Sequence, residues 1–202
     1  ELADGAGLSL REALAIGGTG KTISFGAGLS GQTLTMTSNF TVPTGTLLDA
    51  DAAGTLTINY SSTASPTLAN ITFNNGTGDV LTFGPFNGVS GAGTWTKTGA
   101  GTLQLGAGSF AGYSGSMVVS AGTVKLGSTN QLSSGLGLTI GAGATFDLND
   151  LNQTVTSLSG TGTLTSSSNA GWPTLTLNLA SGQTNTFSGP ISGSHLSLNK
   201  IS

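Results

Sequence analysis

Short aliphatic strands punctuated by glycine return in this chain with a beat of about twenty residues, and that beat restricts the fold more than any motif does. From Leu103 the apolar positions Leu103/Leu105, Val124/Leu126, Phe146/Leu148 and Leu164 follow one another at that spacing. A second register runs through Met117/Val119, Leu138/Ile140 and Val155/Leu158. Repeats of this length mark arrays in which no unit can bury its apolar face alone, so each must stack on the next. Fully burying one Leu or Ile contributes roughly 1.5–3 kcal/mol, while fixing each backbone residue costs roughly 1–2 kcal/mol. A lone glycine-rich coil therefore stays unfolded. Coils about 4.8 Å apart share hydrogen-bond ladders and bury one another.

The expected fold is all-β: a right-handed parallel β-helix, the hand following from the connection rule for parallel strands. A β-sandwich is the structural alternative, and it would need antiparallel hairpins. Disorder is the competing reading of 34 glycines and only 6% charged residues in 202. Regular alternation in Thr33-Leu34-Thr35-Met36-Thr37 and Leu175-Thr176-Leu177-Asn178-Leu179 argues against it. With so few charges, Thr, Ser and Asn must meet the water, as on the outer faces of long sheets.

Ser9 followed by Leu10–Ile16 reads as the one helix, with Ser9 and Glu12 forming a capping box and Gly17-Gly18 ending it. Residues 1–20 are expected to form a cap over the first open edge, and residues 21–202 the coils. Ile23-Ser24-Phe25, Leu34-Thr35-Met36, Leu56-Thr57-Ile58 and Val80–Phe83 alternate at period two. A longer echo joins Phe86–Gly91, leading to Lys97, with Phe187–Gly193, leading to Lys200. By that echo the chain stops at Ser202 within a repeat, which makes its last face an expected cut edge.

A net charge of −3, with Arg11, Lys21, Lys97, Lys125 and Lys200 scattered singly, offers no stripe to neutralise phosphates, so no nucleic-acid partner is expected. No run of about 18 apolar residues reads as a membrane-spanning segment, and no signal peptide is read at Glu1. The absence of cysteine suits a chain that must avoid premature disulfides during export.

Gly93 to Gly127 contains Gly101-Thr102-Leu103, Tyr113-Ser114-Gly115 and Ala121-Gly122-Thr123-Val124, and resembles the passenger-associated repeat of bacterial autotransporters. Phe146–Val155 with Ser157–Gly160 resembles the stretch that follows that repeat, with Asp150 where glycine is expected. Asp4–Leu14 is similar to the CSLREA-type opening of extracellular β-helices, with Leu8 in place of the cysteine. The resemblance covers about half the chain. It implies a pectin-lyase-like solenoid, exported across the outer membrane by a C-terminal translocator barrel of the same polypeptide and displayed at, or shed from, a Gram-negative cell surface. Adhesion, aggregation and biofilm roles are what it implies, with host or neighbouring-cell glycans or proteins as partners.

Sites of chemistry are few. Ala15–Thr22 formally resembles a P-loop, but a helix precedes it and a strand follows, the reverse of a working phosphate cradle. Gly26-x-Gly28-x-x-Gly31 lacks a following helix in the same way. Asp49 and Asp51, two apart on a strand, would point the same way as the acid and base of a polysaccharide-degrading β-helix do; the plainer reading is a solvated turn after Leu47-Leu48. Asp147, Asn149, Asp150 and Asn152 lack the glycine spacing of a calcium loop and read as side chains bonding turn backbone. Gly112–Ser116 falls short of a nucleophile elbow, and His195 reads as a surface residue. Trp95, Trp172, Phe110 and Tyr113 read either as core or as a sugar platform. Five Asn-x-Ser/Thr triplets, from Asn39, Asn59, Asn70, Asn75 and Asn152, read as chance in so Ser/Thr-rich a chain. Thr-x-Thr runs at Thr33/Thr35/Thr37, Thr94/Thr96/Thr98 and Thr161/Thr163/Thr165 are too irregular for a lattice binder. No catalytic, cofactor-binding or metal-ligating residue is assigned, and the expected function is a non-enzymatic adhesin or stalk. A polysaccharide lyase or hydrolase and a purely structural spacer are the alternatives.

Overall fold

The computed structural model describes residues 9–61, 65–86, 88–168 and 170–201. Asp4–Leu8 of the opening, Asn87 of the long echo and Ser202 lie outside them. Every strand pairing among the described residues is parallel, and strands that neighbour in space are one coil apart in the chain, so the molecule is a β-solenoid of about eight turns. No two facing antiparallel layers are present among these residues.

One sheet runs from Thr22–Ser24 through Thr46–Asp49, Ile71–Asn74, Ser90–Thr98, Gly112–Val119 and Gly137–Ile140 to Ser157–Gly160. A second runs from Thr33–Met36 through six further coils to Ile191–Ser192. A third, of Gln153–Val155, Thr174–Asn178 and Ser197–Ile201, closes the remaining side of the last coils. In the early coils the third side is made by Phe40–Thr41, which pairs with Pro66–Leu68, which in turn pairs with the start of the long strand Ser90–Thr98.

Alternation decides which side chains enter the column. In the second sheet Leu56, Leu81, Leu103, Val124, Phe146, Leu164 and Ile191 occupy one file. In the first, Ile71, Trp95, Met117, Leu138 and Leu158 occupy another. Both beats read from the sequence are therefore rungs of real files, with one correction. Val155 leaves the second register and enters the third sheet opposite Leu177, leaving Leu158 to stack on Leu138. At mid-stack the core turns aromatic, where Phe83 meets Tyr60, Phe73, Phe86, Trp95 and Phe110 at ring-centroid distances of 4.7–6.5 Å.

The long echo is not a structural repeat. Ser90-Gly91 begins a strand of the first sheet, whereas Ile191-Ser192 belongs to the second, and Lys97 is buried where Lys200 is exposed. Uneven coil lengths explain the slip, since successive rungs of one file lie much further apart in the chain at Leu164/Ile191 than at Phe146/Leu164.

The helix Leu10–Gly17 carries both halves of the capping box. Ser9 Oγ accepts from the Glu12 backbone N–H at 3.3 Å, and Ser9 N–H donates to Glu12 Oε2 at 2.9 Å. Donation from the Ser9 backbone and hydroxyl holds the Glu12 carboxyl below the usual carboxylate range. Gly18, at φ 64°, ends the helix, which packs against Thr22–Ser24.

Candidate binding surface

Asp49 and Asp51 do not stand as a free pair. Asp49 ends the strand Thr46–Asp49 and Asp51 lies in the turn beyond. The Asp49 carboxylate accepts from Asn74 Nδ2 at 3.0 Å, Ser24 Oγ at 3.3 Å and the Asp51 N–H at 3.4 Å. Thr98 Oγ1 donates to Asn74 Oδ1 at 3.1 Å and completes a polar ladder across four coils. Asp79 reaches the same corner, its carboxylate and the Asp51 backbone both crowding Gly76. Cavities of about 450 Å³, between the helix and the first coil, and about 440 Å³, against Asn178 and Asn185, are lined by none of these acids.

The asparagines and aspartates near residue 150 bond turn backbone. Asp147 accepts from the Asn149 N–H at 2.8 Å and the Ser167 N–H at 2.9 Å, with Lys125 Nζ at 3.7 Å from its other oxygen. Asn149 Nδ2 donates to Leu126 O at 3.0 Å, and Asn152 Oδ1 accepts from the Thr174 N–H at 2.8 Å. The same device recurs at Asn39, which accepts from the Ser65 N–H, and at Asn70, which accepts from the Thr94 N–H, both at 2.8 Å. Among the described residues no three His, Cys, Asp or Glu side chains converge as metal ligands.

Gly112–Ser116 lies within the continuous strand Gly112–Val119, not at a strand-to-helix turn. Ala15–Thr22 spans the end of the helix and the first residue of a strand, the reversed order read from the sequence. Of the four aromatics weighed as a platform, Trp95, Phe110 and Tyr113 are core, each about 1% exposed. Burial pushes the Tyr113 hydroxyl up to about 12, and it donates to Ala69 O at 3.1 Å.

Trp172 alone stands out, 75% exposed, with the His195 ring tilted 35° against it at 3.9 Å between centroids. The register Thr174↔Ser197 makes Trp172 and His195 counterparts on successive coils, both at the upstream margin of the third sheet. Asp150 fixes the loop beneath: it accepts from Ser166 Oγ at 2.9 Å, the Gly171 N–H at 2.9 Å and the Ala170 N–H. Burial pushes that carboxyl up, but donors from Ser168, Gly171, Ser166 and Ala170 outweigh it and hold the group below its ordinary range.

Two features escaped sequence reasoning. Thr102, Thr123, Thr145 and Thr163 form an outward hydroxyl file over four coils; Thr-x-Thr is a pattern along one strand, and this file runs across strands. Lys97, read as one of five scattered charges, is buried between Phe73 and Val119. Its signal was the parity of Thr94-Trp95-Thr96-Lys97-Thr98, which puts Lys97 on the side of Trp95.

Over an alignment 144 residues long that covers 68% of this chain, the sequence is 35% identical to the adhesin BmaC autotransporter of Brucella suis biovar 1 (strain 1330). The match spans 4% of that protein's length. No family model matches the chain, and no solved structure matches it.

Proposed function

We propose, from the premise that the sequence match and the parallel solenoid fit an autotransporter passenger domain, that this segment serves as an adhesive stalk at a bacterial surface. The observation that carries the reading is the similarity to an adhesin over two thirds of the chain, joined to a rod whose faces expose neutral hydroxyls and amides. Binding is spread over several coils and works through shape and hydrogen bonding. In the longer protein a C-terminal translocator barrel carries the passenger across the outer membrane; no helix among the described residues is long and apolar enough to cross a membrane. The partners are glycans or proteins of a host or neighbouring cell.

A non-enzymatic role is supported by Asp49, whose carboxylate is engaged by three donors of its own coil ladder and so is poorly placed to move a proton. Beads coated with the purified segment are expected to adhere to epithelial or bacterial cells above the level of beads coated with an unrelated non-adhesive β-solenoid. Equal adherence of the two would remove the adhesive reading and leave a spacer. Release of reducing ends from pectin or other polysaccharides by the segment would favour the enzyme alternative.

A further inference from the structure

We infer that Trp172, backed by His195, is the stacking platform of a saccharide site laid out on the outer face of the third sheet. The site rests on the adhesive reading and gives its ligand a chemistry.

The first support is the ring itself. An indole exposed to this degree leaves a large apolar surface in water unless something covers it. The other large exposed apolar side chains of the strands, Ile191, Leu198 and Ile201, belong to the last described coil, while the remaining one, Ile16, is on the helix. Trp172 precedes a strand that has a coil on either side of it, so its exposure is set by the side it faces. Pro173 and Leu175 are buried and Thr174 and Thr176 are not, which places Trp172 on the outward parity.

The second support is the loop that presents it. Asp150 and His195 both hold positive φ, 62° and 66°, a conformation that residues with a side chain adopt rarely. Each is tied to the platform: Asp150 accepts from the two N–H groups just before Trp172, and His195 supplies the tilted ring packed against it. Asp and His are among the side chains that take this conformation most readily, and here it serves to set the loop on both sides of one exposed ring in a fixed geometry.

The third support is what lies beside the ring. By register, Thr154 faces Thr176 and then Asn199, and Thr174 faces Ser197. The result is a patch of neutral hydroxyls and amides with about 4.8 Å between coils. The one carboxylate nearby, Asp150, has its oxygens taken by protein donors. A ligand with an apolar C–H face and many hydroxyls, carrying no charge, fits such a surface, since Thr154, Thr174, Thr176, Ser197 and Asn199 are all neutral and Lys200, exposed on the last strand, takes the opposite parity to Asn199. Pyranose sugars have that chemistry, their C–H faces covering aromatic rings while their hydroxyls bond amides and alcohols.

The test titrates the purified segment with tetramers of β1,4-linked N-acetylglucosamine and of β-linked galactose, following affinity by calorimetry. Wild type is expected to bind at least one of them, Trp172→Ala to bind it about tenfold more weakly or worse, and Trp172→Phe to keep most of the affinity. Far-UV circular dichroism should be unchanged in both, since the ring packs in no core. Undiminished binding by Trp172→Ala overturns the site, and so does failure of wild type to bind either tetramer. Cell adherence separates the two claims: saccharide affinity lost in Trp172→Ala while adherence survives keeps the platform and places cell attachment elsewhere, whereas adherence by a wild type with no affinity for either tetramer keeps the adhesive reading and overturns the platform.

Discussion

Lys97 shows how one residue can be read correctly by parity and misread by charge. Its stem fills a file between Phe73 and Val119, and its amine closes the corner by donating to Gly99 O at 2.8 Å, Ala121 O at 3.5 Å and Thr98 O. Burial lowers the amine from 10.5 to about 8, against the opposing pull of Asp51. The unfolded chain therefore binds more protons than the folded one between about pH 8 and 10.5, and this group's contribution to stability rises with pH across that window. Below it the penalty is fully present. Tyr60 and Tyr113, both raised by burial, act in the opposite sense once unfolded tyrosines ionise near pH 10, so the comparison belongs below that point. Urea titrations are expected to give a larger unfolding free energy at pH 9 than at pH 7, by about 1 kcal/mol. Lys97→Met should flatten that slope and stay within about 1–2 kcal/mol of wild type at pH 7, because the apolar stem is conserved while carbonyl partners are lost. An unchanged slope in the variant would refute the assignment. Asp150 was legible in part: a carboxylate standing where glycine was expected marks a positive φ, and the structure gives 62° there. What no sequence pattern could show is which loop that carboxylate would hold, because Ala170 and Gly171 are a coil away.

At the scale of single elements, the files at Leu103, Val124, Phe146 and Leu164 were readable because these rungs recur at near-even intervals and their corners are short. Legibility failed where corners lengthen. Between Leu164 and Ile191 the coil is half as long again as the one before it, so the echo of Phe86–Gly91 in Phe187–Gly193 falls on different sheets. The aromatic cluster was likewise hidden, since Phe83 and Phe86 lie at one strand end, Trp95 and Phe110 on a later strand and corner, and the two groups meet only through the stacking of coils. Phe83 touches five rings there and is 1% exposed. Phe83→Ala is expected to lower stability by about 3–5 kcal/mol, read as a shift of the urea midpoint. Phe187→Ala, at a partly buried site near the downstream end, should cost less; the reverse order would show that the mid-stack cluster is not the main source of packing energy.

For the whole molecule, the architecture was open to reading and the surface was not. Period and alternation are properties of the apolar core, whereas the faces are built from Thr, Ser and Asn whose neighbours are set by coil length. Each coil contacts only those beside it, so stability should be graded along the axis. Hydrogen exchange is expected to be slowest in Ser90–Thr98 and Gly112–Val119, each flanked by coils on both sides, and fastest in Ile191–Ser192 and Ser197–Ile201. Uniform protection from end to end would instead mean a single cooperative unit.

The unbroken succession of parallel rungs also has a mechanical meaning. A tether pulled from its two tips would meet the coils singly, peeling a rung before the next feels the load. A coil such as the one from Val124 to Phe146 would release roughly 75 Å of thread as it opens. Such a rod yields in steps and absorbs load by lengthening.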